Sequence, residues 1–589
     1  MNGGLISRVP GRLRSFAAEH STSLVALLLF CLGAYLVSSS FLPNLDGIGA
    51  WDESAYVNAG RRLLDGEVPD FAGNPLVAVL YALTYLPYSG SAFWLVHSTS
   101  LGRLIQFTLV WLSGYAVSRQ LQRWTHPLVV LGLFFVSSIP LALLAYPSDP
   151  LFVSMAAFSF WKLLSFYNSN RLSDLALSSV FLGLAALSRN DGLLMGPVLV
   201  LLGLVIGYGK VRLWKTFLAA AAPFAVLVFG YVLLYGLISG NFRLGTMGRT
   251  YDNFEAGQQA AYSGEGSVNP VLEAKIEARR LFGTPEENGN SVFRAILRNP
   301  GAYLVRLRAV VRQLPDLLLS AYGQRLAALL MLLAVRGTWE LWRRGDRRLL
   351  LAFLLWPAHL AAGFAITIFR LGHLSFPFYA LYGLSAIGLS ALVANRADRR
   401  ERGVWLIALV ALAVLSKVLG ASAVEFGALA FGAALVLIYW LWPGQEESSR
   451  QAMAPAFGLV FLAVGLLLHG DFTGPKSRTL GERPVEQAVL FMQEAFEPGT
   501  PIAAGSPGPI YAARMTYMGL TALDIPVDRS QEDFLKWMRG QGIEAVYVDY
   551  SLTQDSPGLW RLIEGSVGSG LVRAFTAGGG DLQVLVVEP

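Results

Sequence analysis

The sequence is short of charge, of cysteine and of histidine, and each shortage removes a class of function. Only 15% of the 589 residues are Asp, Glu, Lys or Arg, while 54% are hydrophobic, a balance foreign to a soluble globular chain of this length. The solvent for most of the chain is therefore a bilayer. The single cysteine, Cys31, lies in an apolar run, so no disulfide forms within the chain and thiolate metal sites are excluded. The six histidines are scattered, and His97, His359 and His469 stand in apolar stretches where a packed or interfacial ring is the simpler reading. Gly-x-Ser-x-Gly, His-Glu-x-x-His, Walker and Cys-x-x-Cys motifs are also missing, which removes the familiar hydrolase, zinc-peptidase, nucleotide-binding and redox signatures.

The charge that is present is unevenly placed. The formal net charge is +6, yet from Gly470 onward 9 Lys plus Arg face 15 Asp plus Glu, so that tail carries −6 and the rest +12. A basic membrane part with an acidic tail is no nucleic-acid signature.

Long apolar runs fill the first part. They lie at 23–41, 94–117, 126–145, 150–167, 174–188, 192–208 and 215–238, then at 316–335, 348–369, 374–394, 404–420, 422–442 and 452–469, which predicts about 13 spans if each needs roughly 20 residues to cross the hydrocarbon layer. The first run follows Arg8, Arg12 and Arg14 but exceeds the apolar core of a secretory leader, so it reads as a span. Arg119, Arg123, Arg171, Lys210, Arg212, Arg343, Arg344, Arg347 and Arg399 all fall in alternate turns, on the side of the N-terminus. Basic short loops stay cytoplasmic. The expectation is a multi-pass protein of the plasma or inner membrane with a cytoplasmic N-terminus and a tail on the outer face.

Two outer segments are long, 44–93 and 239–315, the second with a helical stretch at Val271 to Phe282. Both are expected to lie on the membrane surface against the spans. The chain thus divides into a membrane module, 1–469, and a small α/β domain, 470–589, with helices at Pro484 to Phe496 and Gln531 to Arg539 and strands at 502–504, 545–548 and 582–587. The Gly-Ser-Pro-Gly-Pro stretch at 505–509 lacks the glycine spacing of a phosphate cradle and reads as a turn.

The residues that could carry chemistry gather on the outer side. Trp51-Asp52-Glu53-Ser54-Ala55-Tyr56 opens an amphipathic pattern in which Tyr56, Ala59, Leu63 and Leu64 share a face, an interfacial helix. With Asp52 as N-cap, Trp51 and Tyr56 take the positions of a hydrophobic staple. A carboxylate beside a positive helix terminus is held ionised. Asp52 is then either a cap or a working carboxylate. Asp149, in Tyr146-Pro147-Ser148-Asp149-Pro150, begins a span at the membrane plane, where an acid is costly unless it caps, pairs or works. Arg189-Asn190-Asp191-Gly192 forms a third outer turn, and Arg370 with His373 a fourth. Arginines on this side suit a lipid phosphate or the acids just named.

The acidic pair, the spaced Tyr56, Ala59, Leu63-Leu64 and Gly66, then Asn74-Pro75-Leu76, together resemble the lipid-dependent GT-C glycosyltransferases, nearest in look to the protein O-mannosyltransferase and aminoarabinose-transferase branches. Leu-Ser-Arg-Asn-Asp-Gly at 187–192 looks like a turn of that family. Two features depart from its pattern: the second outer loop has one acid, Asp149, instead of a pair, and Asn74-Pro75 replaces Pro-Pro. The resemblance implies an α-helical polytopic GT-C membrane protein that moves a sugar from a polyprenyl-phosphate donor to a glycan, lipid or protein acceptor outside, with inversion. It makes Asp52 the candidate base, with Glu53 orienting the acceptor. Tyr56, Asp149, Arg189, Arg370 and His373 become candidate substrate-binding residues. A divalent metal such as Mg or Mn, if used, would fall to Asp52 and Asp149. The competing reading is a transporter or flippase of lipid-linked or small polar cargo, against which the sequence shows no inverted repeat and sets its candidates at one face.

Overall fold

The computed structural model describes residues 26–31, 52–69, 73–136, 148–240, 247–261, 270–321, 324–358, 378–393, 483–520, 530–549, 557–578 and 582–588, with a few single positions besides. The sequence 52–239 forms α1 (Asp52–Leu64), α2 (Pro75–Tyr85), α3 (Trp94–Gln120), α4 (Pro127–Val136), α5 (Asp149–Ser169), α6 (Leu172–Ser188), α7 (Asp191–Gly207) and α8 (Leu213–Ser239). Helices are the expected answer in a bilayer, because a span must satisfy every backbone group within itself.

α5 and α8 are long and apolar enough to cross a membrane. The two differ in surroundings. Only 11% of the apolar window of α8 is buried against protein, against 67% for α5. Phe217, Val226, Phe229, Leu233 and Leu237 stand exposed along α8, so that helix presents its side chains to lipid while α5 runs through the middle of the bundle. Pro223 interrupts α8 and removes a backbone donor. Ser179 of α6 makes good the break, donating to the Ala220 carbonyl at 2.6 Å and accepting from the Phe224 amide at 3.0 Å.

The predicted count of about 13 spans is not reached among the described residues, where only α5 and α8 qualify by length and hydropathy and α6, α7, 75–88 and 379–392 are shorter apolar helices. α3 is long enough, but Ser98, Thr99, Arg103, Gln106 and Ser113 are buried along it, which lowers its hydropathy. The runs at 404–420, 422–442 and 452–469, and parts of 23–41 and 348–369, lie outside the described residues.

After α8 the chain forms α9 (Met247–Ala256), α10 (Pro270–Phe282), α11 (Val292–Arg298) and α12 (Pro300–Ala321). This outer stretch has an apolar cluster of its own, Tyr251, Phe254, Ala278, Phe282 and Ala295. Glu255 is buried within it and receives Arg279 at 2.9 and 3.2 Å. Burial holds the Glu255 carboxyl above its ordinary value despite that partner.

α13 (Gln324–Arg343), α14 (Arg347–Leu355) and α15 (Phe378–Val393) complete the described membrane part. The apolar run at 316–335, read as one span, falls across the end of α12 and the start of α13. α13 and α15 approach so closely that a Cβ on Gly337 would collide with the Leu384 carbonyl oxygen, and one on Gly388 with that of Leu333. Small residues are how membrane helices reach such contact. Gly388→Val is expected to force the two helices apart at a cost of about 1–3 kcal/mol or more, seen as a lower Tm in detergent. An unchanged Tm would contradict the packing.

The tail forms α16 (Pro484–Ala495), β1 (Pro501–Ala504), α17 (Pro507–Ala512), β2 (Thr516–Gly519), α18 (Gln531–Gly540), β3 (Ala545–Val548), α19 (Pro557–Ser566), β4 (Leu571–Ala577) and β5 (Leu582–Val587). The strands make one sheet in the order β2-β1-β3-β5-β4, parallel across β2, β1 and β3 and antiparallel beyond. Alternation decides which face meets what. Ile502, Ala504, Tyr547 and Val584 join the same apolar cluster as α16 and the membrane helices, whereas Ala503, Val546, Val548 and Leu585 pack with α18 and α19. The stretch at 505–509, read as a turn, instead opens α17, with Pro507 in its first turn, a position where the missing amide costs nothing.

Candidate active site

α1 is anchored before it presents anything. Gly60 lies so close to α2 that a Cβ there would meet the Ala82 nitrogen at 2.5 Å. The turn into α2 is made by Asn74 at φ 55, a left-handed conformation that asparagine tolerates well. The Asn74 side-chain amide then donates to the Tyr56 hydroxyl at 2.6 Å in a buried setting. Tyr56 is thereby locked, and Asn74, which sequence reasoning noted only as half of Asn-Pro, is part of the site.

The helix predicted from Asp52 is present, and its predicted face is covered in part: Ala59 and Leu63 are half-buried beside a buried Tyr56. Ser54, Tyr56, Val57 and Asn58 are buried, while Leu64 is exposed. The reason is the tail. α17 lies over the start of α1, where a Cβ on Gly508 would be 3.9 Å from Ser54. The Trp94 indole donates to the Ala512 carbonyl at 3.2 Å, and the Gln493 amide donates to the Ala92 carbonyl at 3.1 Å. Burial pushes the Tyr511 phenol up, with the Arg62 charge pulling against it. A helix expected to lie on a membrane surface is thus roofed by protein.

Beside it, the second and third outer turns meet. Asp149, almost fully buried at the first turn of α5, takes a hydrogen-bonded ion pair from the Arg189 guanidinium. Arg189 also donates to the Ser148 hydroxyl at 3.1 Å and, through Nε, to Asp191 at 2.9 Å. A buried carboxylate of this kind is tolerable only because it is paired. Leu76, two residues after the Asn74 that holds Tyr56, packs against Ala186 and Leu187 just before Arg189, which brings α1 towards the same cluster. The adjacent Asn190 keeps its side-chain oxygen buried with no hydrogen-bond partner among the described residues.

The structure therefore brings together Tyr56, Asp149 and Arg189, and adds Asn74, Ser148, Asn190 and Asp191. Asp52 and Glu53 form the first turn of α1; their side chains, with Trp51, Arg370 and His373, lie outside the described residues. Asp52 precedes Tyr56 by four positions, one helical turn on the same stripe. Among the described residues no group of three or more His, Cys, Asp or Glu gathers to hold a metal. A cation at Asp149 would compete with the Arg189 charge already on that carboxylate.

No protein-family profile matches the chain, and no curated protein matches it by sequence. Solved structures do match. ArnT from Cupriavidus metallidurans bound to undecaprenyl phosphate aligns over 95% of this chain and 97% of its own, at 14% identity and a TM-score of 0.53. Its apo form aligns over 96% and 98%, at 14% identity and 0.52. The chain shares the overall fold of these ArnT structures. An apo oligosaccharyltransferase from Archaeoglobus fulgidus also aligns, over 90% of this chain and 70% of its own, at 13% identity and a TM-score of 0.47. The likeness to ArnT spans the membrane helices and the tail alike, so the sheet over α1 is part of the shared fold.

Proposed function

We propose that the chain is an inverting membrane glycosyltransferase using a polyprenyl-phosphate-linked sugar. The observation that carries this reading is the approach of α1, through Tyr56 and Asn74, to the Asp149–Arg189–Asp191 cluster at one membrane edge beneath the tail. The acceptor hydroxyl oxygen attacks the anomeric carbon, its proton passes to the Asp52 carboxylate, and the bond from that carbon to the phosphate oxygen breaks. Polyprenyl phosphate leaves with the bonding electrons. Arg189, oriented by Asp149 and Asp191, stabilises the charge growing on it, and Arg370 and His373 are further candidates for that task. Glu53 orients the acceptor, and Asn190 accepts a sugar hydroxyl. The ArnT structure bound to undecaprenyl phosphate supports the same class of lipid carrier here.

Topology supports an outer site. Trp124 and Tyr167 both donate to Asp346, at 2.9 and 3.2 Å, so the basic turns at 119–126, 169–172 and 343–348 gather at the end of the bundle away from the tail. That end is cytoplasmic by the distribution of Lys and Arg. A transporter would set its charged groups near the midplane, whereas these stand at one edge.

The direct test is to incubate the purified chain with a panel of polyprenyl-phosphate sugars and acceptors and to measure free polyprenyl phosphate. At least one pair is expected to release it in step with glycosylated acceptor. Absence of release across the panel, with vesicle assays showing lipid-linked cargo crossing instead, would put the transporter reading in its place.

A further inference from the structure

At the opposite end of the bundle a cavity of about 320 Å³ is lined by Arg119, Gln120, Gln122, Arg123 and Asn168. It forms where α3 and α5 both end. α5 has 21 residues, roughly 30 Å at 1.5 Å per residue, so Asn168 stands about one hydrocarbon thickness from Asp149. The cavity shares no residue with the candidate active site and faces the other edge of the membrane.

Its chemistry is one-signed. No carboxylate lines it, and among the described residues neither Arg119 nor Arg123 has an ion-pair partner. Neither Asp346 nor Asp174 lines it: Asp346 accepts from Trp124 and Tyr167, and Asp174 accepts from Ser169 at 2.9 Å and pairs with Lys162 at 3.2 Å. The Asn168 amide donates to Gln120 at 3.1 Å. Its own oxygen is buried with no hydrogen-bond partner among the described residues. Arg119 and Arg123 stand exposed at its mouth, and two guanidinium forks call for phosphate oxygens.

We propose that this cavity is a second anion site, which takes a phosphate group. Two sources present that chemistry at this edge: an anionic phospholipid headgroup of the adjoining leaflet, drawn by the basic turns, and soluble phosphate. The site owes nothing to sugar transfer, and its test reads none.

The test uses the full chain in nanodiscs. In one arm, phosphatidylglycerol is mixed into phosphatidylcholine discs and the phosphatidylglycerol retained per protein is counted by native mass spectrometry. In the other, discs of phosphatidylcholine alone are dialysed against radiolabelled inorganic phosphate. The wild-type chain is expected to retain one of the probes. Retention of the lipid assigns a headgroup, and retention of phosphate assigns the soluble source. Arg119→Gln with Arg123→Gln is expected to lower that retention about tenfold, while Arg171→Gln, an exposed arginine on the same face outside the cavity, leaves it within about twofold. If the glutamine pair does not fold, Arg119→Lys with Arg123→Lys keeps the charge and loses the fork, and a loss of about threefold or more is expected. The proposal is overturned if wild type retains neither probe, if the paired variants retain as much as wild type, or if Arg171→Gln loses as much as the pair.

Discussion

Asp52→Asn is expected to lower sugar transfer by about 10²–10⁴-fold while the chain still inserts and folds, because it removes the proton acceptor and little else. The choice of asparagine matters. Asp52 is the first helical residue of α1 and Asn is close to it in size and shape, so if Asp52 only starts the helix, the variant keeps both structure and rate. If Asp52 is the base, the rate falls and the structure stays. Turnover measured as polyprenyl phosphate released, alongside Tm in detergent, separates the two, and near-wild-type turnover would sink the assignment. Asp52→Ala would confound them by removing side-chain shape and base together.

Arg189→Gln has the second large effect, and it acts on two quantities at once. Removing the guanidinium leaves Asp149 buried beside Ser148 without its counter-charge, a loss of about 3–5 kcal/mol for a broken buried pair, near the lower figure here because Arg189 itself is 22% exposed. Loss of the donor to the leaving phosphate is expected to cost a further 10²–10³-fold, in order of magnitude, in turnover. Asp149→Asn combined with Arg189→Gln tests whether the two effects are separable. The double variant no longer buries a lone charge, so much of the stability should return, yet turnover should not. Full recovery of turnover in the double variant would make the cluster a structural ion pair alone.

How much of this could be read from residues depends on where each residue's partners sit. The helix from Asp52, the helices at 484–495 and 531–540, and the inner strands β1, β3 and β5 follow from local periodicity, since their apolar residues face a core on both sides of the sheet. β2 and β4 were illegible because they are the sheet's edges. β4 alternates little and carries exposed Arg573, as an edge that needs only one partner can. α17 was hidden by its prolines, which read as a turn until Pro507 is seen in the first turn of a helix. Leu64 shares a face with Tyr56 by period, yet the tail covers only the start of α1 and Leu64 at its far end stays exposed.

The sequence by itself determined the bilayer as solvent, the placing of basic turns at one edge, and the candidate acids and arginines at the other, because hydropathy and charge are summed along the chain and need no partner. Only the tertiary structure decided that Asp149 and Arg189, 40 positions apart, neutralise each other, that Asn74 holds Tyr56, and that Arg119 and Arg123 share a cavity that neither Asp346 nor Asp174 lines. Those are pairwise facts between distant positions, and a buried charge takes its meaning from the one partner that the fold brings to it.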